Sequence, residues 1–457
     1  MAPLRTWIDA TTPLVHVSER IDPVANSSVN TSSDTLLSVL DRTIVAQDAI
    51  PAAQELVTLQ SGAYLNGSSW LKSLDISASA ESVTSKLHSK LREMQLSPTV
   101  QLVMALLYES MLQSKSHFAG YIAQLPAHIP LPMTWSQSTR RTLKHTAASP
   151  SIDDELVASM FKSFGAPLAQ KFPEFWTEEL SFERFQWAYS VVSSRAFTIS
   201  GATEPTLLPV IDMANHDHKS PAAKIVKNDD DSFQLVALRA IAKDEAVTIS
   251  YGDLSNAELL CRYGFVLPES VPTDCILIPS SELVTTYTAF LNDDADQSSG
   301  NNNSDSESDG SASKQQQAEP AAKKRKLFVE KKKIEDDALF FLLHGDQQRE
   351  FGLGDALLSF VFARSLPADA LYDVLAVLLR KRDKLYSDAL DKPLGDQSQQ
   401  ETVAFVQLLI KHERAVCRRI LIGIMTLEEN LSGEDDDEDE DGEGSAGSYE
   451  DKDDDEE

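Results

Sequence analysis

The feature that most constrains the fold is a polar stretch, residues 293–333, that separates two blocks of ordinary globular composition. The stretch is rich in Ser, Asn, Asp, Gln and Lys and has few large apolar side chains. It buries too little apolar surface to offset the entropy lost on ordering, so we predict a disordered linker. The 457-residue chain should therefore contain a folded part on each side of this linker.

The charge of the chain is strongly acidic and unevenly distributed. The formal net charge is −30, and residues 433–457 alone carry 16 acidic residues against one Lys. We predict a disordered acidic tail over these residues. Because nucleic-acid binding depends on clustered Lys and Arg, we expect no direct contact with nucleic acid. Basic proteins are the partners that this charge favours.

The cysteines and the hydropathy pattern exclude two further classes of protein. Cys261, Cys275 and Cys417 lie far apart without a CxxC pair, which argues against a disulfide framework or a thiolate zinc site. The first residues lack the apolar core of a secretory signal, and no apolar run approaches 18 residues. We expect a soluble intracellular protein without membrane contact.

A basic run lies inside the linker. Residues 323–326 read Lys-Lys-Arg-Lys and follow Pro320, a pattern typical of nuclear-import signals. The alternative is a solvated basic stretch that balances the acids upstream, since residues 293–334 hold eight acidic and eight basic residues. The run predicts a nuclear protein, with the cytoplasm as a further compartment.

The block that follows the linker has helical periodicity throughout. Leu371, Val374, Leu375 and Leu378 recur at i, i+3, i+4 and i+7, which is the spacing of one helix face. Residues 335–432 are therefore predicted to form an all-α module of about 100 residues. No residue cluster in this module demands chemistry, so packing or partner binding is its expected role.

The first block mixes helices and strands. Residues 98–113 and 181–193 are predicted helices, opened by Pro98 and by Ser181 as N-cap. Short β-branched or aromatic runs predict strands at 206–212, 232–241 and 245–251, and residues 228–231 between two strands favour a hairpin turn. This order indicates an α+β domain, and no GxGxxG or GxxxxGK[ST] nucleotide-binding motif occurs.

The densest polar cluster follows the apolar run at residues 207–211. It contains Asp212, Asn215, His216, Asp217 and His218. Three interpretations are open from this segment alone. The cluster could be a metal site, because imidazole and carboxylate groups bind zinc or iron. It could equally be a turn in which Asn and Asp bind the backbone, or a cradle for a small molecule.

A second set of residues points to a family. Tyr251-Gly252 ends a predicted strand 36 residues after Asn215, and Ser-Asn-x-Glu-Leu-Leu and Tyr-Gly-Phe follow it within residues 255–265. Upstream lie Ser-Arg-x-Phe at 194–197 and the segment 117–126 with Trp135. This ordered set resembles the SET-domain protein-lysine methyltransferases of the Rubisco large-subunit methyltransferase-like family.

The resemblance implies a domain organisation. A SET β-fold would occupy residues 1–270, with a helical insert at about 90–190, and the all-α lobe at 335–432 would bind the substrate. The overall class is α+β. The resemblance is best over residues 95–270 and follows 335–430 only in outline. Because members of this family lack zinc-binding cysteine clusters, the three scattered cysteines agree with it.

The resemblance also implies roles for individual residues. The methyl donor is S-adenosylmethionine and no metal is required. Tyr251 takes the role of the catalytic tyrosine, and Phe197 and Phe265 wall the lysine channel. The cofactor-binding residues are expected to be Ser194, Arg195, Asp212, Asn215, His216 and Tyr263. The expected substrate is a basic protein such as a ribosomal protein or histone, and the enzyme is expected to be a monomer.

The amino-terminal segment departs from the family pattern. The family has a glycine-rich turn that approaches the cofactor, whereas here no glycine precedes Gly62. The polar residues 26–32 occupy the place of that turn, and residues 34–40 resemble the strand that follows it. A catalytically inactive SET scaffold that binds a basic partner therefore stays open as an alternative. A second alternative is a protein-histidine methyltransferase, an activity that the family resemblance also allows because some relatives of the family methylate histidine.

Overall fold

The fold is described from a computed structural model of the chain. The structure describes residues 15–23, 38–76, 83–152, 155–173, 176, 180–199, 204–299, 339–343, 355–368, 370–391 and 400–433. The polar segment 26–32, the basic run 323–326 with most of the predicted linker, and the acidic tail from residue 434 lie outside these residues.

Ten strands occur in the described residues. They are β1 (Val15–Pro23), β2 (Ser38–Ala46), β3 (Glu55–Leu59), β4 (Leu65–Asn66), β5 (Ala196–Phe197), β6 (Thr206–Leu207), β7 (Ala223–Lys227), β8 (Phe233–Ala237), β9 (Cys275–Pro279) and β10 (Leu339–Leu343). They form two-stranded sheets β1-β2 and β10-β9 and three-stranded sheets β3-β8-β7 and β4-β6-β5.

Thirteen α-helices occur in the same residues. They are α1 (Gly67–Ile76), α2 (Val83–Glu93), α3 (Pro98–Met111), α4 (Ala119–Ile122), α5 (Gln137–Arg141), α6 (Leu156–Met160), α7 (Ala166–Lys171), α8 (Phe182–Arg195), α9 (Asn256–Tyr263), α10 (Ser280–Ser299), α11 (Asp355–Ala363), α12 (Leu371–Leu390) and α13 (Gln400–Gly433).

The predicted helices of the first block are confirmed as α3 and α8. Ser97 caps α3, its side chain accepting the N–H of Val100, and Pro98 occupies the first turn, where its missing N–H costs nothing. Ser181 caps α8 in the same way through the N–H of Arg184. The residues of α3 from Leu102 to Leu107 are all buried, so this helix forms the centre of the insert.

Two apolar cores lie within residues 44–249. One is helical and surrounds α3, with Trp70, Leu87, Tyr121 and Phe185 among its buried side chains. The other lies between the short sheets and contains Ile44, Leu56, Leu235 and Ile249. Hydrophobic burial of this kind is the main stabilising contribution to folding. The candidate site residues come from elements at the edges of both cores.

The hairpin predicted at residues 228–231 is confirmed. β7 and β8 pair antiparallel with Lys227 opposite Phe233, and the N–H of Asn228 donates to the carbonyl of Ser232 at 2.9 Å. Asp231 adopts a φ of 62°, a left-handed conformation that Asp tolerates better than most residues.

Four sequence predictions need correction. The predicted disordered linker was placed from residue 293, but residues 293–299 belong to α10, because the helix that begins at Ser280 continues into the polar stretch. The predicted strand 206–212 ends at Leu207, and residues 211–213 form a 3₁₀ turn. The predicted strand 245–251 contains only isolated bridges at Ala246 and Ile249. In the block predicted to be all helical, residues 339–343 form β10, since a five-residue apolar run does not reveal its own periodicity.

The chain divides into two compact units. The first takes its described residues from Met1–Leu277, Phe341–Leu343 and Lys384–Arg414, and it contains all the candidate site residues. The second takes them from Ile278–Phe340, His344–Asp383 and Ala415–Glu457. Inside the second unit Arg382 of α12 pairs with Glu282 of α10 at 2.7 Å, an ion pair with little solvent exposure. No described helix is both long and apolar enough to cross a membrane.

Candidate functional site

The segment from β6 to His216 leaves the sheet through a strained turn. Val210 has φ 73° and ψ −51°, a conformation that a β-branched side chain rarely adopts. Its side chain is buried, and its carbonyl accepts the N–H of Met213 at 3.0 Å. Strain of this kind costs about 1–3 kcal/mol and persists only where the surrounding structure enforces it. The turn directs Ala214, Asn215 and His216 toward the segment that carries Tyr251.

Those two segments lie side by side. His216 and Ile249 form a parallel bridge, in which the N–H of Ile249 donates to the carbonyl of Asn215 and the N–H of Asp217 to the carbonyl of Ile249, each at 2.9 Å. Residues that are more than 30 positions apart in the chain are therefore fixed next to each other. The bridge places Asn215 and His216 beside the end of the run that leads to Tyr251.

Both polar groups of Tyr251 bind this neighbouring segment. Its hydroxyl donates to the carbonyl of Ala214 at 2.8 Å, and its backbone N–H donates to Nδ1 of His216 at 3.1 Å. Since Nδ1 accepts a hydrogen bond, the ring of His216 is unprotonated at that nitrogen. Burial, with a smaller effect of His218, lowers the pKa of His216 and so favours this neutral form.

Tyr251 and four neighbouring aromatic rings form a continuous series. Tyr251 stacks between His216 and Tyr263, with ring centroids 5.1 and 4.5 Å apart. Phe197 meets Tyr251 edge-on at 6.4 Å, and Phe265 lies 6.3 Å from Tyr263. Aromatic pairs in such geometries contribute roughly 0.5–1.5 kcal/mol each beyond burial. The arrangement packs aromatic rings directly against the ring of Tyr251.

A buried polar cluster lies at the start of the same segment. The hydroxyl of Tyr121 donates to Oδ2 of Asp212 at 2.8 Å. Nη1 of Arg195 donates to the carbonyl oxygen of Asp212 at 3.0 Å and lies 3.5 Å from its Oδ2. The side chain of Asp212 is fully buried, whereas that of Arg195 is 24% exposed. The cluster therefore joins the helical insert, the end of α8 and the site segment.

The electrostatics of this cluster follow from its burial. Burial raises the pKa of Asp212, while the Arg195 cation and the Tyr121 hydroxyl oppose that rise. Burial, reinforced by Asp212, holds the pKa of Tyr121 well above its ordinary value, so Tyr121 stays a hydrogen-bond donor. Burial has the largest single effect on Arg195 and lowers its pKa, but Asp212, Tyr121 and Tyr251 together outweigh burial, so the net pKa is raised.

Helix α9 positions Tyr263 and Phe265. Its N-terminus has a capping box, in which Ser255 and Glu258 each bind the other's backbone N–H. Asn256, fully buried, donates through Nδ2 to Oδ2 of Asp274 at 2.9 Å and accepts the N–H of Leu267 at 2.7 Å. These bonds tie both ends of the segment 256–274 together and leave the two aromatic residues little freedom.

Comparisons with known proteins place this geometry in context. No family model matches the chain. The ribosomal lysine N-methyltransferase set10 of Schizosaccharomyces pombe is 30% identical over 190 residues, or 40% of this chain and 34% of that protein. N-lysine methyltransferase setd6 of Salmo salar is 28% identical over 214 residues (43% and 47%). An actin-histidine N-methyltransferase of Danio rerio is 27% identical over 213 residues (43% and 34%). The chain spans less than half the length of these relatives.

Solved structures match over nearly the whole chain. The SET domain of LSMT, crystallised with lysine and AdoHcy, matches with a TM-score of 0.58 and 14% identity over 95% of this chain and 93% of that one. Rubisco LSMT bound to AdoMet matches with a TM-score of 0.55 and 15% identity over 94% and 92%. The chain has the SET-domain fold of Rubisco LSMT. The α+β class and the family resemblance predicted from the sequence are confirmed.

Within this SET fold, most of the predicted site residues lie close together. Tyr251, His216, Tyr263, Phe197 and Phe265 form the aromatic series, and Arg195 and Asp212 form the adjoining polar cluster. Asn215 is fixed through its backbone by Ile249. Ser194 differs from the others, because its hydroxyl donates to the carbonyl of Ser190 at 2.8 Å within α8.

Two residues of the SET fold that contribute to the site were not singled out from the sequence. Tyr121 lies in the motif at 117–126, but its bond to Asp212 spans 91 residues and has no local signal. Gly264 has a φ of +81°, and a Tyr-Gly-Phe sequence after a capped helix was the available indication of a left-handed helix end. Among the described residues no group of His, Cys, Asp and Glu is arranged to hold a metal ion.

Proposed function

We propose that the chain is a S-adenosylmethionine-dependent methyltransferase that methylates a lysine side chain of another protein. The observation that carries the proposal is the hydroxyl of Tyr251, whose proton is donated to the carbonyl of Ala214 at 2.8 Å. The oxygen then presents its lone pairs as acceptors, beside the stacked aromatic rings. Such an oxygen accepts CH···O contacts from a methyl group and orients an amine.

The residues next to Tyr251 fit this cofactor. Arg195 offers a partly exposed cation for the carboxylate of S-adenosylmethionine, and Asn215 and His216 offer further polar groups to hold the cofactor. Nε2 of His216 and Oδ1 of Asp212 are buried polar atoms without a hydrogen-bond partner among the described residues. The cofactor supplies an activated methyl group on a sulfonium.

The remaining predicted residues have supporting roles in this proposal. The ring of Tyr263, stacked on Tyr251, would lie against the cofactor. Asp212 and Ser194 hold the backbone and the end of α8 in place, since both are bonded inside the protein. The polar contacts with the cofactor are thus assigned to Arg195, Asn215 and His216, with Oδ1 of Asp212 as a further acceptor.

The chain's own residues perform two tasks in the proposed reaction. Phe197, Tyr263 and Phe265 exclude water from the substrate amine, and desolvation lowers the pKa of a lysine so that its lone pair becomes available. Tyr251 orients the nitrogen in line with the methyl group. Fixing two reacting groups in line accounts for a large part of the acceleration of such displacements.

The proposed substrate is a basic protein, such as a ribosomal protein or histone. The net charge of −30 favours encounter with a basic partner, and the relative set10 is named a ribosomal lysine methyltransferase. Loss of substrate labelling when the ionic strength is raised supports electrostatic recruitment of a basic substrate, whereas salt-independent labelling counts against it.

We also propose that the enzyme acts as a monomer, which light scattering after gel filtration tests.

Two experiments test the enzymatic proposal. Titration calorimetry measures whether the folded protein binds S-adenosylmethionine, and absence of binding would favour the inactive scaffold that the missing amino-terminal glycines suggest. A labelled-methyl assay on cell extract, followed by mass spectrometry, identifies the acceptor. Methyl-lysine supports the proposal, and methyl-histidine alone would replace it with the alternative that the actin-histidine relative represents.

The role of Tyr251 is tested by Tyr251→Phe, which removes the hydroxyl and keeps the ring. We expect kcat to fall about 10²-fold, the effect of losing in-line positioning. Tyr64→Phe is the matched control, because the hydroxyl of Tyr64 also donates to a backbone carbonyl, that of Asp231 at 3.0 Å. Full-rate methylation by Tyr251→Phe would remove this residue from the mechanism.

We also propose that the protein is nuclear, imported through residues 323–326. The support for this proposal is the run of four basic residues after Pro320. Replacing the four residues by Ala in a fluorescent fusion should move the protein to the cytoplasm. Unchanged distribution would assign the run to local charge balance.

A further inference from the structure

Tyr121 is a buried residue of the helical insert to which the proposed reaction assigns no task. It lies in α4, is 3% exposed, and donates its hydroxyl proton to Oδ2 of Asp212 at 2.8 Å. The two residues are 91 positions apart, so this hydrogen bond connects the insert to the segment that carries Ala214, Asn215 and His216.

Asp212 extends this connection to Arg195. The carbonyl oxygen and Oδ2 of Asp212 lie 3.0 and 3.5 Å from the same nitrogen, Nη1, of the guanidinium. Because the side chain of Asp212 is fully buried, it holds Arg195 from the interior, while the exposed 24% of the arginine side chain remains available to a ligand. A buried carboxylate of this kind depends on every partner that satisfies it.

The geometry points to Tyr121 as a positioning residue of the cofactor site, which acts through Asp212 on the orientation of Arg195. This inference rests on the proposed function, in which Arg195 binds the carboxylate of S-adenosylmethionine. Without the Tyr121 hydroxyl, Arg195 is the remaining described partner of Oδ2, and the carboxylate shifts toward it. The guanidinium then presents its free nitrogens in a different direction.

The first measurement is calorimetric binding of S-adenosylmethionine to Tyr121→Phe. We expect the Kd to rise about 10-fold, the size of losing one hydrogen bond to a charged group, with kcat at saturating cofactor within about twofold. Tyr64→Phe is the matched control, since it removes the same atom from another buried tyrosine that bonds a backbone carbonyl. Its Kd should equal that of the wild type.

A double-mutant cycle separates action through Asp212 from a general loss of stability. In the Asp212→Asn background, Tyr121→Phe should change the Kd by less than about twofold, because the carboxylate through which it acts is absent. Additive effects of the two substitutions would overturn the proposed route.

Hydrogen exchange of the cofactor-free protein gives a readout that does not depend on the reaction. Peptides covering residues 190–197 and 208–217 should exchange faster in Tyr121→Phe than in Tyr64→Phe. Equal exchange in the two variants overturns the positioning role, whether or not the cofactor binds. If the wild type fails to bind S-adenosylmethionine, the proposed function is overturned. The exchange data alone then decide whether Tyr121, through Asp212, holds the segments that contain Arg195 and His216.

Discussion

Replacement of Gly264 by Ala tests how the aromatic pocket is held. Gly264 joins Tyr263 to Phe265 at a φ of +81°, and its N–H donates to the carbonyls of Leu259 and Leu260 at 3.1 Å each. A Cβ added here would lie 3.1 Å from the carbonyl oxygen of Pro130.

The carbonyl of Pro130 cannot move freely, because the indole N–H of Trp135 donates to it at 3.0 Å. The left-handed backbone costs an alanine about 1 kcal/mol. Displacing a fixed neighbour adds about 1–3 kcal/mol, the usual size of overpacking. We therefore expect Gly264→Ala to lower the free energy of unfolding by about 2–4 kcal/mol.

The same displacement should impair the proposed reaction. Tyr263 and Phe265 flank the substituted residue, and a displacement of about 1 Å in residues that position the substrate lowers the rate about 10²-fold. We expect methyl transfer by Gly264→Ala to fall by about this factor at temperatures where the variant is still folded. Far-ultraviolet circular dichroism at the assay temperature verifies that condition.

Gly62→Ala is the matched control for backbone strain. Gly62 has a φ of +90°, and a Cβ added there meets nothing within 4 Å, so only the backbone cost of about 1 kcal/mol applies. Denaturant unfolding followed by tryptophan fluorescence suits both variants, because all five tryptophans precede residue 188 and so report on the first unit. Equal losses of stability and activity in the two variants would refute the contact with Pro130 as a constraint on the pocket.

Two further predictions concern buried ionisable groups. Burial lowers the pKa of His216 below its ordinary value, so the unfolded chain binds the proton first, and the free energy of unfolding should fall as the pH drops just below 6.5. His216→Asn should reduce this dependence of the free energy of unfolding on pH, measured by denaturant titrations at several pH values. An unchanged dependence would assign it to other groups. Glu413, 1% exposed, accepts the N–H of Ala147 at 2.9 Å and the hydroxyl of Tyr386 at 2.6 Å. Glu413→Ala should lower the free energy of unfolding by about 2–4 kcal/mol. Glu413→Gln should lower the free energy of unfolding less than Glu413→Ala. Its amide oxygen still accepts the N–H of Ala147, and the hydroxyl of Tyr386 can still donate to the carbonyl of His145 at 3.0 Å. Equal losses of stability in thermal unfolding would contradict this reasoning.

The elements that were predicted correctly are those with local signals. Pro98 and the cap Ser181, each followed by an apolar periodic run, located α3 and α8. The hairpin at residues 228–231 followed from turn chemistry between two short apolar runs. These patterns succeed because a cap or a turn is satisfied by residues only two to four positions away.

The elements that were missed depend on distant residues. The run 339–343 reads equally well as helix or strand, and only its pairing with β9 decides between them. The predicted strand at 206–212 failed for a related reason. Val210 is held at a φ of 73° by its surroundings, against the β preference of its own side chain.

The sequence by itself determined the fold class, the order of the motifs and most of the residues that gather at the site, because SET motifs are short runs of fixed composition. Only the tertiary structure decided that Tyr251 donates to Ala214 and that Tyr121 supports Asp212. Those bonds join residues 37 and 91 positions apart. Their formation depends on how the two cores pack, and no local periodicity encodes a contact over such a separation.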